Sequence, residues 1–291
     1  MRRNAFDAIR RGFENTVANW PLLLLRVGET LLFAALTVAA IIAVLIPLAV
    51  SLGVKPLRTP EDFVDLASIV LEHWLVLVWI IVAALLLSLV FVLVHSFLQA
   101  GSARVYLNGP FTMERFLAGG KEGWWRVFWI YNLAWGVAGL IVVLPMLPVM
   151  ALVTMIADEP AAAAGIGCLG LVFTFMLALG VTIITAMWVE KAIVIALARH
   201  TTARAALSAG WKDVKGDFAR HLVVALIVFA VSFAVSSAVS TMVWVGGALH
   251  SPDSINILFS PLQFFSYGAQ MLISSAVSAW FLASYAALLE E

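Results

Sequence analysis

A single cysteine, Cys168, stands in the 291 residues, and this excludes a disulfide within the chain and any zinc or iron-sulfur centre built from several thiolates. Charge is scarce: Asp, Glu, Lys and Arg make up 12% of the residues, against about 25% in soluble domains. It is also balanced, with 17 basic and 17 acidic side chains, so nothing in the total points to a polyanion such as nucleic acid as partner. What takes the place of charge is apolar. Hydrophobic residues reach 63%, against about 45 to 50% in soluble proteins, and a soluble fold has too little interior to hide them.

A bilayer core about 30 Å thick calls for roughly 20 apolar residues of helix. Six stretches meet that length: Pro21 to Leu48, Ile69 to Gln99, Val127 to Ile156, Ala164 to Ala198, Leu222 to Leu249 and Leu262 to Leu289. They predict an all-α, polytopic transmembrane bundle of six spans forming a single membrane domain over 1–291. Asp7 and Glu14 sit among the N-terminal arginines and the following apolar run is too long for a signal core, so the first span is expected to remain in the mature protein.

The Lys and Arg residues outside the spans divide unevenly. Thirteen fall on one side: Arg2, Arg3, Arg10, Arg11, Arg104, Arg115, Lys121, Arg126, Arg199, Arg204, Lys212, Lys215 and Arg220. The other side holds only Lys55 and Arg58, among the acids Glu61, Asp62, Asp65, Asp158, Glu159 and Asp253. The positive-inside rule then predicts both termini in the cytoplasm.

The three basic segments superpose without gaps. Gly12, Gly120 and Gly210 each precede an aromatic by eight residues (Trp20, Phe128, Phe218), and each follows an apolar residue by three (Ile9, Leu117, Leu207). In the first segment Phe6, Ile9, Phe13, Val17 and Trp20 recur at helical spacing; in the third Leu207, Trp211, Val214 and Phe218 do so, opposite Lys212, Lys215 and Asp217. The pattern predicts three cytoplasmic amphipathic helices lying in the membrane interface, each followed by a hairpin, in a parallel threefold repeat over 1–100, 101–199 and 200–291.

This layout resembles the glycerophosphoryl diester phosphodiesterase membrane-domain family of bacterial six-span inner-membrane proteins. The resemblance is carried by Phe6-Asp-Ala-Ile-Arg-Arg-Gly12 with Asn19-Trp20-Pro21, by Phe116-Leu-Ala-Gly-Gly120 with Trp124-Trp125-Arg126-Val-Phe128, and by Ala203-Arg-Ala-Ala-Leu-Ser-Ala-Gly210. It implies a bacterial inner-membrane location and an envelope or lipid-associated role. In some relatives the domain precedes a soluble phosphodiesterase barrel. No catalytic barrel is expected here, since the chain runs only two residues past the sixth span, and the activity is not carried over.

Several strings invite chemical readings. Gly165-Ile-Gly167-Cys168-Leu-Gly170 matches the dinucleotide pattern with Glu190 twenty residues on, yet four alanines precede it and an apolar helix follows, so close helix packing through small residues is expected instead. Ser232, Ser236 and Ser240 in the fifth span and Ser275, Ala279 and Ala283 in the sixth repeat every four residues, which predicts that these two helices pack closely. The histidines, His95 near Gln99, His73 beside Glu72, and His200, His221 and His250 at interfaces, lack metal-site spacing, and no metal or cofactor is expected.

Charges within spans are the default functional suspects because they are costly there. Arg26 and Glu29 share a face of the first span, Glu190 and Lys191 lie at similar depth in the fourth, and a cross-helix cluster of Arg26 with Glu190 and Glu29 with Lys191 is one expected arrangement. The other is that the cations snorkel to headgroups while the acids sit in hydrated crevices. Headgroup contacts are assigned to Arg10, Arg11, Arg115, Arg204, Lys212 and Lys215. The leading expectation is a non-enzymatic accessory or scaffold protein whose partners are anionic membrane lipid and other membrane proteins. A small transporter or channel for a lipid or solute is the alternative.

Overall fold

The computed structural model describes residues 4–51, 74–156, 160–248 and 261–289, and all regular structure among them is helical. Eight helices follow one another there: α1 (Ala5–Ala18), α2 (Pro21–Ser51), α3 (Trp74–Asn108), α4 (Met113–Met155), α5 (Pro160–Ala198), α6 (Ala203–Gly216), α7 (Phe218–Ala248) and α8 (Pro261–Ala287). They form two compact units, one of Met1–Leu24 and Ser96–Glu291 and one of Leu25–His95.

Helix boundaries follow local chemistry. Pro21 opens α2, where its missing N–H costs no hydrogen bond. Gly109, at φ 108°, ends α3 in a conformation that side chains other than glycine resist, and its N–H reaches the Val105 carbonyl at 3.1 Å. Thr112 and Thr202 cap α4 and α6 by accepting from the backbone N–H of Arg115 at 3.2 Å and of Ala205 at 3.4 Å. Two of the basic segments are separate helices, α1 and α6. The middle one is not. With no proline or cap between Lys121 and Phe128, α4 runs unbroken for 43 residues, roughly 64 Å, and includes both the basic segment and the span that follows.

Five helical segments are long and apolar enough to cross a membrane: Pro21–Ala43, Val78–Asn108, Met113–Met155, Ala164–Ala198 and Phe218–Thr241. The chain is thus a helical, multi-pass membrane protein by architecture. The sixth expected stretch is helical as α8 but falls outside this set, because its glutamines, five serines and Tyr285 dilute its apolar character. The start of the second expected span (69–73), His73 with Glu72, the outer-loop charges from Lys55 to Asp65, and Asp158, Glu159, His250 and Asp253 lie outside the described residues. The lipid-facing character of the helices shows in Leu140, Leu144, Leu169, Phe173 and Phe233, which remain more than half exposed. A hydrocarbon solvent makes such exposure free.

Helix α3 continues nine residues beyond Gln99, the expected end of the second span. Asn15 of α1 donates there to the Tyr106 carbonyl at 3.1 Å, and Ala100, Ala103, Val105 and Tyr106 are buried. Side-chain size decides this: Gly101 lies against Phe116, Gly119 against Arg104 and Ala100, and Gly120 against the Phe97 ring. The other two aligned glycines also stand at helix crossings. A methyl group on Gly12 would come within 2.7 Å of the Ser284 backbone in α8, and one on Gly210 within 3.1 Å of the Ala192 nitrogen in α5. The Gly165 to Gly170 string lies inside α5, where Gly170 meets Val149 of α4, a helix-packing contact with no strand before it. Ser275, Ala279 and Ala283 are buried in α8, which packs on α7, and Gln270 donates to the Ser240 hydroxyl at 3.0 Å.

Packing splits the amphipathic faces. On α1, Ile9 turns inward with Ala5, Ala8, Gly12 and Thr16, while Phe6, Phe13, Val17 and Trp20 stay exposed. On α6, Leu207 and Val214 are buried with Ala206 and Gly210, and Trp211 remains 44% exposed. The apolar stripe is wide enough to serve the protein on one edge and an outer environment on the other.

Candidate functional site

Tryptophans fix the two short helices α1 and α6 in the same way. The Trp280 indole of α8 donates to the Ile9 carbonyl at 2.9 Å, and the Trp188 indole of α5 donates to the Leu207 carbonyl at 2.7 Å. Each accepting carbonyl lies three residues before the crossing glycine. The residue after that glycine, Phe13 or Trp211, meets the same indole edge-on, with ring centroids 5.9 and 5.6 Å apart.

A pocket of about 440 Å³ lies where α5, α6, α7 and the end of α8 meet. Four cations line it, Lys191, Arg199, Lys212 and Arg220, with one carboxylate, Asp213. Lys191 is buried and its Nζ lies 2.8 Å from Asp213 Oδ2, with the Leu288 carbonyl at 3.5 Å. Arg220 Nε is 3.1 Å from Asp217. Arg199 and Lys212 are exposed at the mouth. His221 is wholly buried, its Nε2 3.6 Å from Asp213 Oδ2 and its ring stacked on Tyr285. The His221 ring and then Lys191 hold the Asp213 carboxyl far below the ordinary carboxylate range, against the opposing effect of its partial burial. Asp213 is therefore a fixed negative charge among four positive ones. Such a set binds anions through charge-assisted hydrogen bonds.

The four suspected intramembrane charges are all buried, and each takes identifiable neighbours. Glu190 accepts from Gln99 Nε2 at 3.1 Å on both carboxylate oxygens. Lys191 reaches Asp213. In the Leu25–His95 unit, Glu29 lies 2.8 Å from His95 Nδ1 and 3.9 Å from Arg26 Nη1. Of the expected headgroup residues, Arg10, Arg11, Arg204, Lys212 and Lys215 are exposed, and Arg10 reaches Glu14 at 3.6 Å. Arg115 is half-buried, and its guanidinium donates to the Pro110 carbonyl.

Asp213 was not named from sequence, Arg199 and Arg220 entered only as loop charges, and His95, Gln99 and His221 only as polar residues without metal-site spacing. Only the crossing of α6 over α5 sets Asp213 on Lys191. The adjacency of His95 and Gln99, one helical turn apart near a span end, was the available signal for those two. No known protein family, curated protein or solved structure matches this chain.

Proposed function

We propose that the chain is a six-span bacterial inner-membrane protein with both termini in the cytoplasm, a non-enzymatic accessory or scaffold element that engages anionic lipid headgroups and partner membrane proteins. The observation that carries this reading is the outer face of α1. On a helix of 14 residues, Phe6, Phe13 and Val17 are 54 to 63% exposed, Trp20 just beyond it is 58% exposed, and Arg10 and Arg11 stand exposed beside them. Water penalises that surface, whereas the headgroup boundary satisfies both halves of it. Trp211 with Lys212 and Lys215 on α6 supports the same placement.

The paired tryptophan struts and the three crossing glycines support the parallel repeat, with α4 carrying the middle copy without its own strut. They are also the best support for kinship with the glycerophosphoryl diester phosphodiesterase membrane-domain family, whose resemblance rests on the same segments. The experiment is native mass spectrometry of the protein from mixed-lipid membranes. Changing Arg10, Arg11, Arg204 and Lys215 together to glutamine should lower the number of retained anionic lipids with no loss of folding. Retention equal to that of the unmodified protein contradicts the reading.

One observation favours a transporter as the second reading. A cavity of about 290 Å³ lies among α5, α7 and α8 and is lined by the hydroxyls of Thr182, Ser232, Ser274 and Ser278 within an apolar wall. Solute or lipid flux through reconstituted vesicles would move this reading ahead of the scaffold.

A further inference from the structure

We propose that the pocket formed by Lys191, Arg199, Lys212, Asp213 and Arg220 is a dedicated site for the phosphate of an anionic phosphate ester, carried by a phospholipid headgroup or by a small solute. The proposal rests on the membrane reading above for the lipid source, and on the pocket itself for the chemistry.

The first argument is electrostatic. Four cations against Asp213 and against Asp217, which holds Arg220, leave two positive charges in excess among the described residues. One of those cations, Lys191, is buried beneath the mouth that the exposed Arg199 and Lys212 form. Burying a cation costs free energy that a structural role does not require at a membrane surface, where an apolar residue would pack as well. An anion entering between Lys191 and the two mouth cations neutralises the excess. The volume of about 440 Å³ admits a phosphate with a small substituent, and Ile195, Leu288 and Leu289 supply an apolar wall against which such a substituent rests. Guanidinium groups match phosphate oxygens in pairs, which two arginines in one lining provide.

The second argument is a departure from the repeat. Aligned on the crossing glycine, the position two residues on is Glu14, Glu122 and Lys212; three residues on, it is Asn15, Gly123 and Asp213; eleven residues on, it is Leu23, Tyr131 and His221. Aligned on the strut tryptophan, Ala283 at the α1 crossing stands where the α6 crossing has Lys191. The frame is shared, and only at the α6 crossing do Lys191, Lys212 and Asp213 stand in it. Packing does not call for the replacement, because Ala283 and Asn15 occupy the matching places of the first copy's crossing. A ligand does.

The test uses the full chain in nanodiscs, with Arg199→Gln and Lys212→Gln combined, both at exposed positions that leave the fold intact by thermal melting. Two probes separate the sources: phosphatidylglycerol against phosphatidylcholine as the disc lipid, and inorganic phosphate as the soluble ligand by calorimetry. Each neutralised cation should weaken binding about fivefold, so the pair should weaken it about twenty-fivefold. Loss of one tightly held phosphatidylglycerol assigns the site to lipid; loss of phosphate binding alone assigns it to a solute. Either supports the pocket. Unchanged binding of both probes in the double variant overturns it. The quadruple variant of the surface arginines and Lys215 leaves Arg199, Lys212 and Lys191 in place, so failure of the scaffold reading shows there and failure of the pocket shows here.

Discussion

Trp188 donates its indole hydrogen to the Leu207 carbonyl at 2.7 Å, and this bond fastens a basic surface helix to a membrane span. The Trp280 bond to Ile9 repeats it at the other end of the chain. A buried hydrogen bond contributes about 1 kcal/mol, so Trp188→Phe and Trp280→Phe should each lower stability in detergent by about 1 to 2 kcal/mol, including lost ring contact. The two struts share none of these partners, and the double variant should show the sum. Thermal unfolding of the three variants checks this.

The crossing glycines should be far less tolerant than the open ones. Gly12→Ala puts a methyl within 2.7 Å of the Ser284 backbone, so the helices must part, at a cost of about 2 kcal/mol or more. At Gly136 nothing lies within 4 Å, and Gly136→Ala should stabilise α4 by roughly 0.5 kcal/mol. Opposite signs in thermal melting are the expected outcome.

Asp213→Asn leaves the buried Lys191 ammonium without its carboxylate. Because Asp213 is 41% exposed on its side chain, the loss should be about 1 to 2 kcal/mol, less than for a fully buried pair. The carboxyl titrates lower in the folded protein than the roughly 3.9 of an unfolded aspartate, so its contribution is complete above that value and fades only in stronger acid. The stability difference between the native chain and Asp213→Asn should be level from neutral pH down to about 5. The same variant removes the pocket's one negative charge and should tighten phosphate binding where Arg199→Gln weakens it.

In the Leu25–His95 unit the close contact is Glu29 with His95, and a double-mutant cycle over Glu29→Gln and His95→Gln should show coupling on the order of 1 kcal/mol, as for other polar contacts between membrane helices. Detergent stability measured at fixed pH gives the coupling.

The helical, multi-pass architecture was legible because apolar length has one reading in a bilayer, and the glycine spacing marked the helix crossings because only small residues allow them. The continuation of α3 through Arg104 to Asn108 was not legible. A charged residue after an apolar run reads as the end of a span, whereas Ala100, Gly101 and Arg104 pack against α4 and the helix goes on. The pocket was half legible: Lys191 and Lys212 were marked, for two separate roles. Asp213 joins them, and a contact between α5 and α6 leaves no periodic trace in the chain.

Single-cysteine labelling tests most directly whether the basic end of the bundle faces the cytoplasm. Ser208 is exposed on α6 between the basic residues. In a Cys168→Ser background, an impermeant maleimide added to intact cells should modify a cysteine at Ser254 and spare one at Ser208, with Ser208 reacting only after the membrane is opened. Labelling of Ser208→Cys from outside in intact cells contradicts the account.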